Sequence, residues 1–492
     1  MKKAKRDGIY IVGAGFAGRS IAREIREKGV LGRVVAFLDD DPTKIGTRLD
    51  GLPVLGPIER VEGFLATTPA TEALIALPST SRERLKEVYC ALSRADFARI
   101  RILPDVSQIV DGDAHLVQTR EVDADDLLAR SPVAINLKES LDYLRGKRVL
   151  ITGAGGSIGS ELARQLLHGG AARLYLFDHE ENSIYEIDKE LKLLQAEGVG
   201  EQATVVPVLG DLQDRDYVRF IMRRLRADVV FHCAAHKHVP MCEHNPVETI
   251  KNNTFGTRNL VDAAIEVGTP RFVFVSTDKA VRPSSVYGAS KMLAEEIVLR
   301  KRPGRGDFMV VRFGNVLGSR GSIVPLFKKQ ILNGGPVTIT HPEMSRFFMT
   351  IPEASSLVLK AGGVGKGGDL YILDMGEPIL IRELAETMIR FFGFVPEREI
   401  PLRYVGLRPG EKLHETLWDS DEQPVPTGFP RINRLPREER FNGSFDRLLS
   451  ALHAVCFFDP ERPEPYRNRR ELRRILHAYI PSVNHVDDEP EY

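Results

Sequence analysis

One pattern constrains this chain more than any other, because it occurs twice. Ile9-Tyr-Ile-Val12 is a short apolar run, Gly13-Ala-Gly15-Phe-Ala-Gly18 follows it, a helical stretch reaches about Lys28, and a second apolar run, 34–38, ends in Asp39. The same order returns 140 residues later: Arg148-Val-Leu-Ile-Thr152, Gly153-Ala-Gly-Gly156-Ser-Ile-Gly159, a helix to about His168, and the run 174–177 closed by Asp178. Strand, glycine turn, helix, strand and acid make a βαβ unit. Two such units this far apart in 492 residues predict two α/β domains, each a Rossmann-like, doubly wound parallel sheet.

The expected organisation is an N-terminal domain over 1–130, a linker over 131–146, a second domain over 147–480 and a disordered tail over 481–492. Within the second domain the alternation continues through apolar strands at 205–209, 229–233 and 272–275. From about Gly314 the rhythm loosens into Gly- and Pro-rich connections such as Asn333-Gly-Gly-Pro336 and Arg408-Pro-Gly410, which reads as a smaller C-terminal substrate-binding lid.

Composition narrows the function classes. Sixty-eight Lys and Arg balance 68 Asp and Glu, so no global field favours nucleic acid, and an anionic ligand must be held by local donors. Four scattered cysteines give no disulfide framework and suit a reducing cytosol. No stretch approaches the roughly 20 apolar residues of a spanning helix, so a soluble, cytoplasmic protein is expected. The cluster His232-Cys233, His236, His238, Cys242 and His244 lacks a paired Cys-x-x-Cys and is not read as a metal site. The basic run from Arg467 to Arg474 reads as a solvated helix face in preference to a lipid contact.

A glycine turn after a strand lets the backbone approach a pyrophosphate, and the next helix aims its free N–H groups at it. Asp178 stands 25 residues beyond Gly153, the spacing at which an acid takes the adenosine ribose hydroxyls and disfavours a 2′-phosphate. The first copy, with Asp39 beyond Gly13, fits nucleotide binding or a fold without ligand. Tyr287 and Lys291 lie four apart, on one face of a helix. A neighbouring ammonium lowers a phenol's pKa, which would make Tyr287 a base towards a sugar hydroxyl. Asp278 and Lys279 follow an apolar strand, and an extended chain would send them to opposite faces. Both reach one site only if the strand ends by Thr277.

The sequence of Thr152-Gly-Ala-Gly-Gly-Ser-Ile-Gly159, Ala234-Ala-His-Lys-His-Val-Pro240, Ser276-Thr-Asp-Lys279, Tyr287-x-x-x-Lys291, Arg312-Phe-Gly-Asn-Val316 and Arg408-Pro-Gly-Glu-Lys412 resembles the extended short-chain dehydrogenase/reductases. Within them it is similar to the polysaccharide-biosynthesis nucleotide-sugar dehydratases, notably UDP-N-acetylglucosamine 4,6-dehydratases. The resemblance implies NAD, held by Gly153, Gly156, Ser157, Ile158, Gly159 and Asp178, with Asp211, Leu212, Ala234, Lys237 and Asn253 lining its site. It implies a UDP-sugar held by Asn315, Arg346, Arg408 and Glu411, and catalysis by Thr277, Asp278, Lys279, Tyr287 and Lys291. Tyr287 would take the O4 proton, Lys279 the C5 proton, and Asp278 would protonate the departing C6 hydroxyl.

Two departures matter. Longer members usually begin with membrane helices, so a soluble variant or a shortened chain is expected here. Many of them also carry Met in place of Tyr287, which leaves the C5 configuration of the product open. The resemblance further implies a homo-oligomer. The rival readings are a UDP-sugar 4-epimerase, which has no use for an acid–base pair after Thr277, and a non-catalytic nucleotide-binding scaffold.

Overall fold

A computed structural model describes residues 8–29, 31–77, 80–95, 97–103, 120–121, 141–300, 306–420, 422–436, 440–441, 443–484 and 489. The chain forms two compact units, Met1–Asn136 and Leu137–Tyr492. Residues 131–140 of the expected linker lie outside the described residues.

In the first unit the strands Leu52–Leu55, Arg33–Leu38, Gly8–Val12, Glu72–Ile75 and Arg99–Ile102 run parallel in that order across the sheet. Short antiparallel strands, Arg48–Leu49 and Arg120–Glu121, close its two edges. Side chains alternate along a strand. Ile9 and Ile11 therefore pack with Ile21 and Ile25 of the helix Phe16–Lys28, while Tyr10 and Val12 pack on the other face with Leu85, Val88 and Leu92.

The second unit carries the larger sheet. Thr204–Leu209, Arg173–Asp178, Arg148–Thr152, Val229–His232, Arg271–Thr277, Asp307–Phe313 and Leu370–Leu373 lie side by side and parallel. Ile432–Leu435 and Val425–Pro426 extend the edge antiparallel. Chain order reverses between Arg148–Thr152 and Val229–His232, and ligands bind such sheets beyond the strands' carboxyl ends at that switch point.

The expected lid is interleaved with the sheet instead of following it. After Asp307–Phe313 the chain builds the small pairs Asn315–Val316 with Phe348–Met349, Val337–Ile339 with Leu402–Tyr404, and Ser345–Arg346 with Ile379–Leu380. It re-enters the main sheet at Leu370–Leu373, an apolar run buried along its whole length, and again at Ile432–Leu435, where only Ile432 and Leu435 are buried and Arg434 is exposed.

Two further expectations are corrected. Of the segment taken as a disordered tail, residues 481–484 and Glu489 are described; Val483 and Glu489 are buried, and Ser482 Oγ donates to the Pro283 carbonyl at 2.9 Å. The basic run is not wholly solvated: Arg473 is buried, donating to Glu489 at 2.6 Å and to Glu243 at 2.9 Å. The apolar residues Leu472, Ile475 and Leu476 turn the same face of the helix Arg469–Tyr479 inward, and Arg473 follows them. Among the described residues no helix is long and apolar enough to cross a membrane.

Candidate active site

A cavity of about 650 Å³ opens at the carboxyl edge of the larger sheet, walled entirely by the second unit. Its floor is the turn between Arg148–Thr152 and the helix Ser157–His168. Gly153 has φ +68°, and a Cβ on it would stand 2.7 Å from the Ala234 nitrogen. A Cβ on Gly159 would stand 2.1 Å from the Gly153 carbonyl oxygen, so strand and helix meet this closely only through glycine. Asp178 accepts from Gly155 N at 3.1 Å and His179 N at 2.8 Å, which ties the next strand's end to the turn. Gly153, Gly156, Ser157, Ile158, Gly159, Asp178, Asp211, Leu212, Ala234 and Lys237 all line the cavity. Backbone bared by glycine at a helix start, with a carboxylate beside it, fits a dinucleotide's pyrophosphate and ribose.

Asn253 is the exception. It sits on a π-helical turn, Lys251–Gly256, that rotates it behind the wall. There its amide accepts from His236 N at 2.8 Å and donates to the His236 carbonyl and to Ser290 Oγ, both at 2.9 Å. Asn252 takes the place on the wall. Asn253 thus braces the 234–238 loop against the helix Val286–Leu299. The histidine-rich stretch is similarly structural at its start: His232 lies fully buried between Thr152 Oγ1 at 2.7 Å and Thr257 Oγ1 at 2.8 Å.

The strand Arg271–Thr277 ends at Thr277, the point at which Asp278 and Lys279 are freed from strand alternation. Thr277 caps a single 3₁₀ turn, Asp278–Ala280, and the turn brings adjacent side chains onto one side. Lys279 Nζ donates to Asp278 Oδ1 and to Asn315 Oδ1, each at 2.9 Å. Thr277 Oγ1 donates to the same Asp278 oxygen at 2.9 Å. Lys279, Thr277 and Asn315 line the cavity, whereas Asp278 is fully buried behind them and its Oδ2 has no hydrogen-bond partner.

Tyr287 and Lys291 share the inner face of the helix Val286–Leu299, whose Ser285 cap accepts from Gly288 N at 3.0 Å. Their titration departs from expectation. Burial pushes the Tyr287 phenol above its ordinary value, only partly offset by a hydrogen bond with Thr277. Burial also draws the Lys291 ammonium down to about 7. The cation that was to acidify the phenol is thus itself driven towards neutrality. Lys291 Nζ donates to the Val275 carbonyl at 2.8 Å and stands 3.9 Å from the centre of the Phe274 ring.

Arg346, Arg408 and Glu411 line the same cavity as Asn315. Arg408 is half exposed and its guanidinium lies 4.0 Å from Glu411 Oε1, while Glu411 Oε2 is buried without a hydrogen-bond partner. Arg346 is buried and donates to the carbonyls of Lys412, at 2.7 Å, and Leu413, at 3.0 Å. It therefore holds the 408–413 loop as well as facing the cavity. Sequence reasoning missed two wall residues in this loop, Lys412 and Glu415. Their spacing of three is a common surface pairing, and no local pattern marks the acid as buried.

Residues 149–437 match a family described as polysaccharide biosynthesis protein, and residues 2–104 match a CoA-binding domain. The chain is 43% identical over 434 residues to the probable polysaccharide biosynthesis protein EpsC of Bacillus subtilis, covering 88% of this chain and 72% of that one. It is 33% identical over 309 residues to a UDP-N-acetylglucosamine 4,6-dehydratase (inverting) of Campylobacter jejuni, covering 60% and 87%. It is also 33% identical over 336 residues to a UDP-glucose 4-epimerase of Rickettsia prowazekii, covering 67% and 95%.

Proposed function

The chain belongs to the polysaccharide biosynthesis protein family, and from that premise we propose that it is an NAD-dependent 4,6-dehydratase of a UDP-sugar, UDP-N-acetylglucosamine foremost, feeding surface glycan synthesis. The observation that carries this reading is the end of the strand at Thr277, which puts the Lys279 amine on the cavity wall beside Tyr287. A 4-epimerase uses Tyr287 and Lys291 and leaves Lys279 without a task. With equal identity to an epimerase and a dehydratase, the reading is supported by this local geometry.

The residues divide the work by position. The glycine turn and Asp178 would hold the dinucleotide, and Lys291 would hold its nicotinamide ribose. Bound NAD supplies a hydride acceptor for C4 and a donor for C6. Tyr287 accepts the O4 proton as the phenolate, a form that burial opposes and the positive nicotinamide of bound NAD would favour, and the ketone that results acidifies C5. Lys279, as the free amine held by its 2.9 Å contacts with Asp278 and Asn315, then takes the C5 proton, while Asp278, protonated and with its Oδ2 otherwise unpartnered, gives the proton that leaves with the C6 hydroxyl as water. Arg408 faces diphosphate oxygens and Glu411, with a buried oxygen lacking a donor, faces ribose hydroxyls.

Incubation with UDP-N-acetylglucosamine and NAD tests the reading. A product lighter by one water is expected. A product of unchanged mass with altered chromatographic mobility would establish epimerisation instead, and unchanged substrate would favour a binding role.

A further inference from the structure

The loop that carries Arg408 and Glu411 is fastened to the turn that carries Asp278 and Lys279, and one side chain makes the join. Lys412 follows Glu411 on that loop and lines the cavity. Its Nζ donates to the Val281 carbonyl at 2.7 Å. Val281 in turn closes the 3₁₀ turn Asp278–Ala280 by donating its own N–H to the Asp278 carbonyl at 3.1 Å. We propose that Lys412 is a positioning residue for the proton transfers at C5 and C6, holding the 278–281 turn where Lys279 and Asp278 can act, an inference that rests on the dehydratase reading above.

Three observations carry it. The join is no chance surface pairing: 131 residues separate its partners, Val281 is fully buried, and the Lys412 side chain is only 21% exposed. The loop that delivers the ammonium is itself held, since Arg346 donates to the Lys412 and Leu413 carbonyls and Ser284 Oγ donates to the Gly410 carbonyl at 3.0 Å. The ammonium also stays there against burial, which draws it below its ordinary value while Glu415 and Asp278 oppose that pull. Its ionic partner Glu415 lies 3.6 Å away with a buried oxygen that has no hydrogen-bond partner. A buried ion pair adds little stability beyond an apolar pair of the same volume, so stability alone does not account for it.

The charge of Lys412 also sits with one half of the site. It interacts with Asp278 and Lys279. Tyr287 stands on the next helix, whose start is secured separately by Ser285, which caps it, and by Glu243 Oε1, which accepts from Val286 N at 2.7 Å. Loss of Lys412 therefore frees the turn and leaves the helix in place. A shift of about 1 Å in a reacting group is enough to slow its step by roughly 100-fold.

The test uses the holoenzyme with NAD and UDP-N-acetylglucosamine, read by nicotinamide absorbance, product mass and calorimetric titration with UDP. In Lys412→Met, reduced nicotinamide should form within about threefold of the wild-type rate and accumulate, while dehydrated product at saturating substrate falls by roughly 30-fold or more. UDP should bind within about threefold of wild type, because Arg346 and Ser284 still hold the loop. Equal loss of both steps, or product formation near the wild-type rate, would overturn the assignment. Weakened UDP binding with product formation restored at saturating substrate would overturn it too, by making Lys412 a substrate ligand. Lys412→Arg, which keeps the cation but moves its donors, covers the case in which the Met variant does not fold: it should slow product formation more than nicotinamide reduction, and equal slowing counts against the role. A wild-type enzyme that forms no product lighter by one water would sink the dehydratase reading, and this inference with it, whatever the variants do.

Discussion

At the scale of single residues, the proposed dehydration gives its two halves to Lys279 and Tyr287. They touch different parts of the network: Lys279 contacts Asp278 and Asn315, and Tyr287 contacts Thr277. Lys279→Ala should therefore let C4 oxidation proceed and trap reduced nicotinamide, visible in its absorbance, while product formation falls by roughly 100-fold or more. Tyr287→Phe should suppress the absorbance change itself. Proportional loss of both steps in Lys279→Ala would remove it as the C5 base. Lys291 yields a prediction of a different kind. Its ammonium titrates near 7 in the fold against an ordinary value of 10.5, so between those values the unfolded chain holds a proton that the folded chain has lost. Stability from this group accordingly rises with pH through that window. The melting temperature of wild type relative to Lys291→Met should climb from pH 7 towards pH 10. A constant difference would mean that the buried amine keeps its proton.

At the scale of elements, the helix Val286–Leu299 is held at its start from outside the sheet. Glu243 Oε1 accepts from Val286 N at 2.7 Å, and its other oxygen takes Arg473 of the helix Arg469–Tyr479. Removing one partner of a buried ion pair typically costs about 3–5 kcal/mol because the other charge is stranded. Arg473→Ala should lose stability on that scale in denaturant titrations and should lower turnover by loosening the helix that bears Tyr287. Replacing Arg473 with Lys should recover only part, since one ammonium does not span Glu243 and Glu489 as a guanidinium does. A loss below about 1 kcal/mol would show the pair to be solvated. This brace was invisible in the sequence, since 230 residues separate its partners. What could be read was local: Gly153, Gly159 and Asp178 belong to one strand–turn–helix–strand unit, and Tyr287 and Lys291 to one helical turn. Asn253 was assigned to the cavity by the family resemblance alone, and no local pattern signals the π turn on which it stands behind the wall. Glu415 went unseen because what singles it out is burial beside a strand end that precedes it by more than a hundred residues.

At the scale of the whole molecule, the two glycine units share one tie between acid and turn, and the cavity described above belongs to the second. In the first, Asp39 accepts from Ala14 N at 2.7 Å and Asp41 N at 2.9 Å, and Lys44 Nζ lies 3.4 Å away, so that its acid is engaged by the chain. In the second, a similar tie between Asp178 and the turn borders the cavity lined by Thr277, Lys279, Tyr287 and Lys291. All residues of that cavity fall between Gly153 and Glu415, and every strand of the sheet beneath it comes from the same unit. A domain with its own sheet and core can fold without its neighbour. Residues 137–492 expressed alone should thus unfold cooperatively and convert UDP-N-acetylglucosamine at a rate within about threefold of the full chain. Calorimetry and the product-mass assay on the two proteins check this together. A folded but inactive fragment would place part of the catalytic apparatus in the first unit, and a fragment without a cooperative transition would show that the second unit depends on the first for its fold.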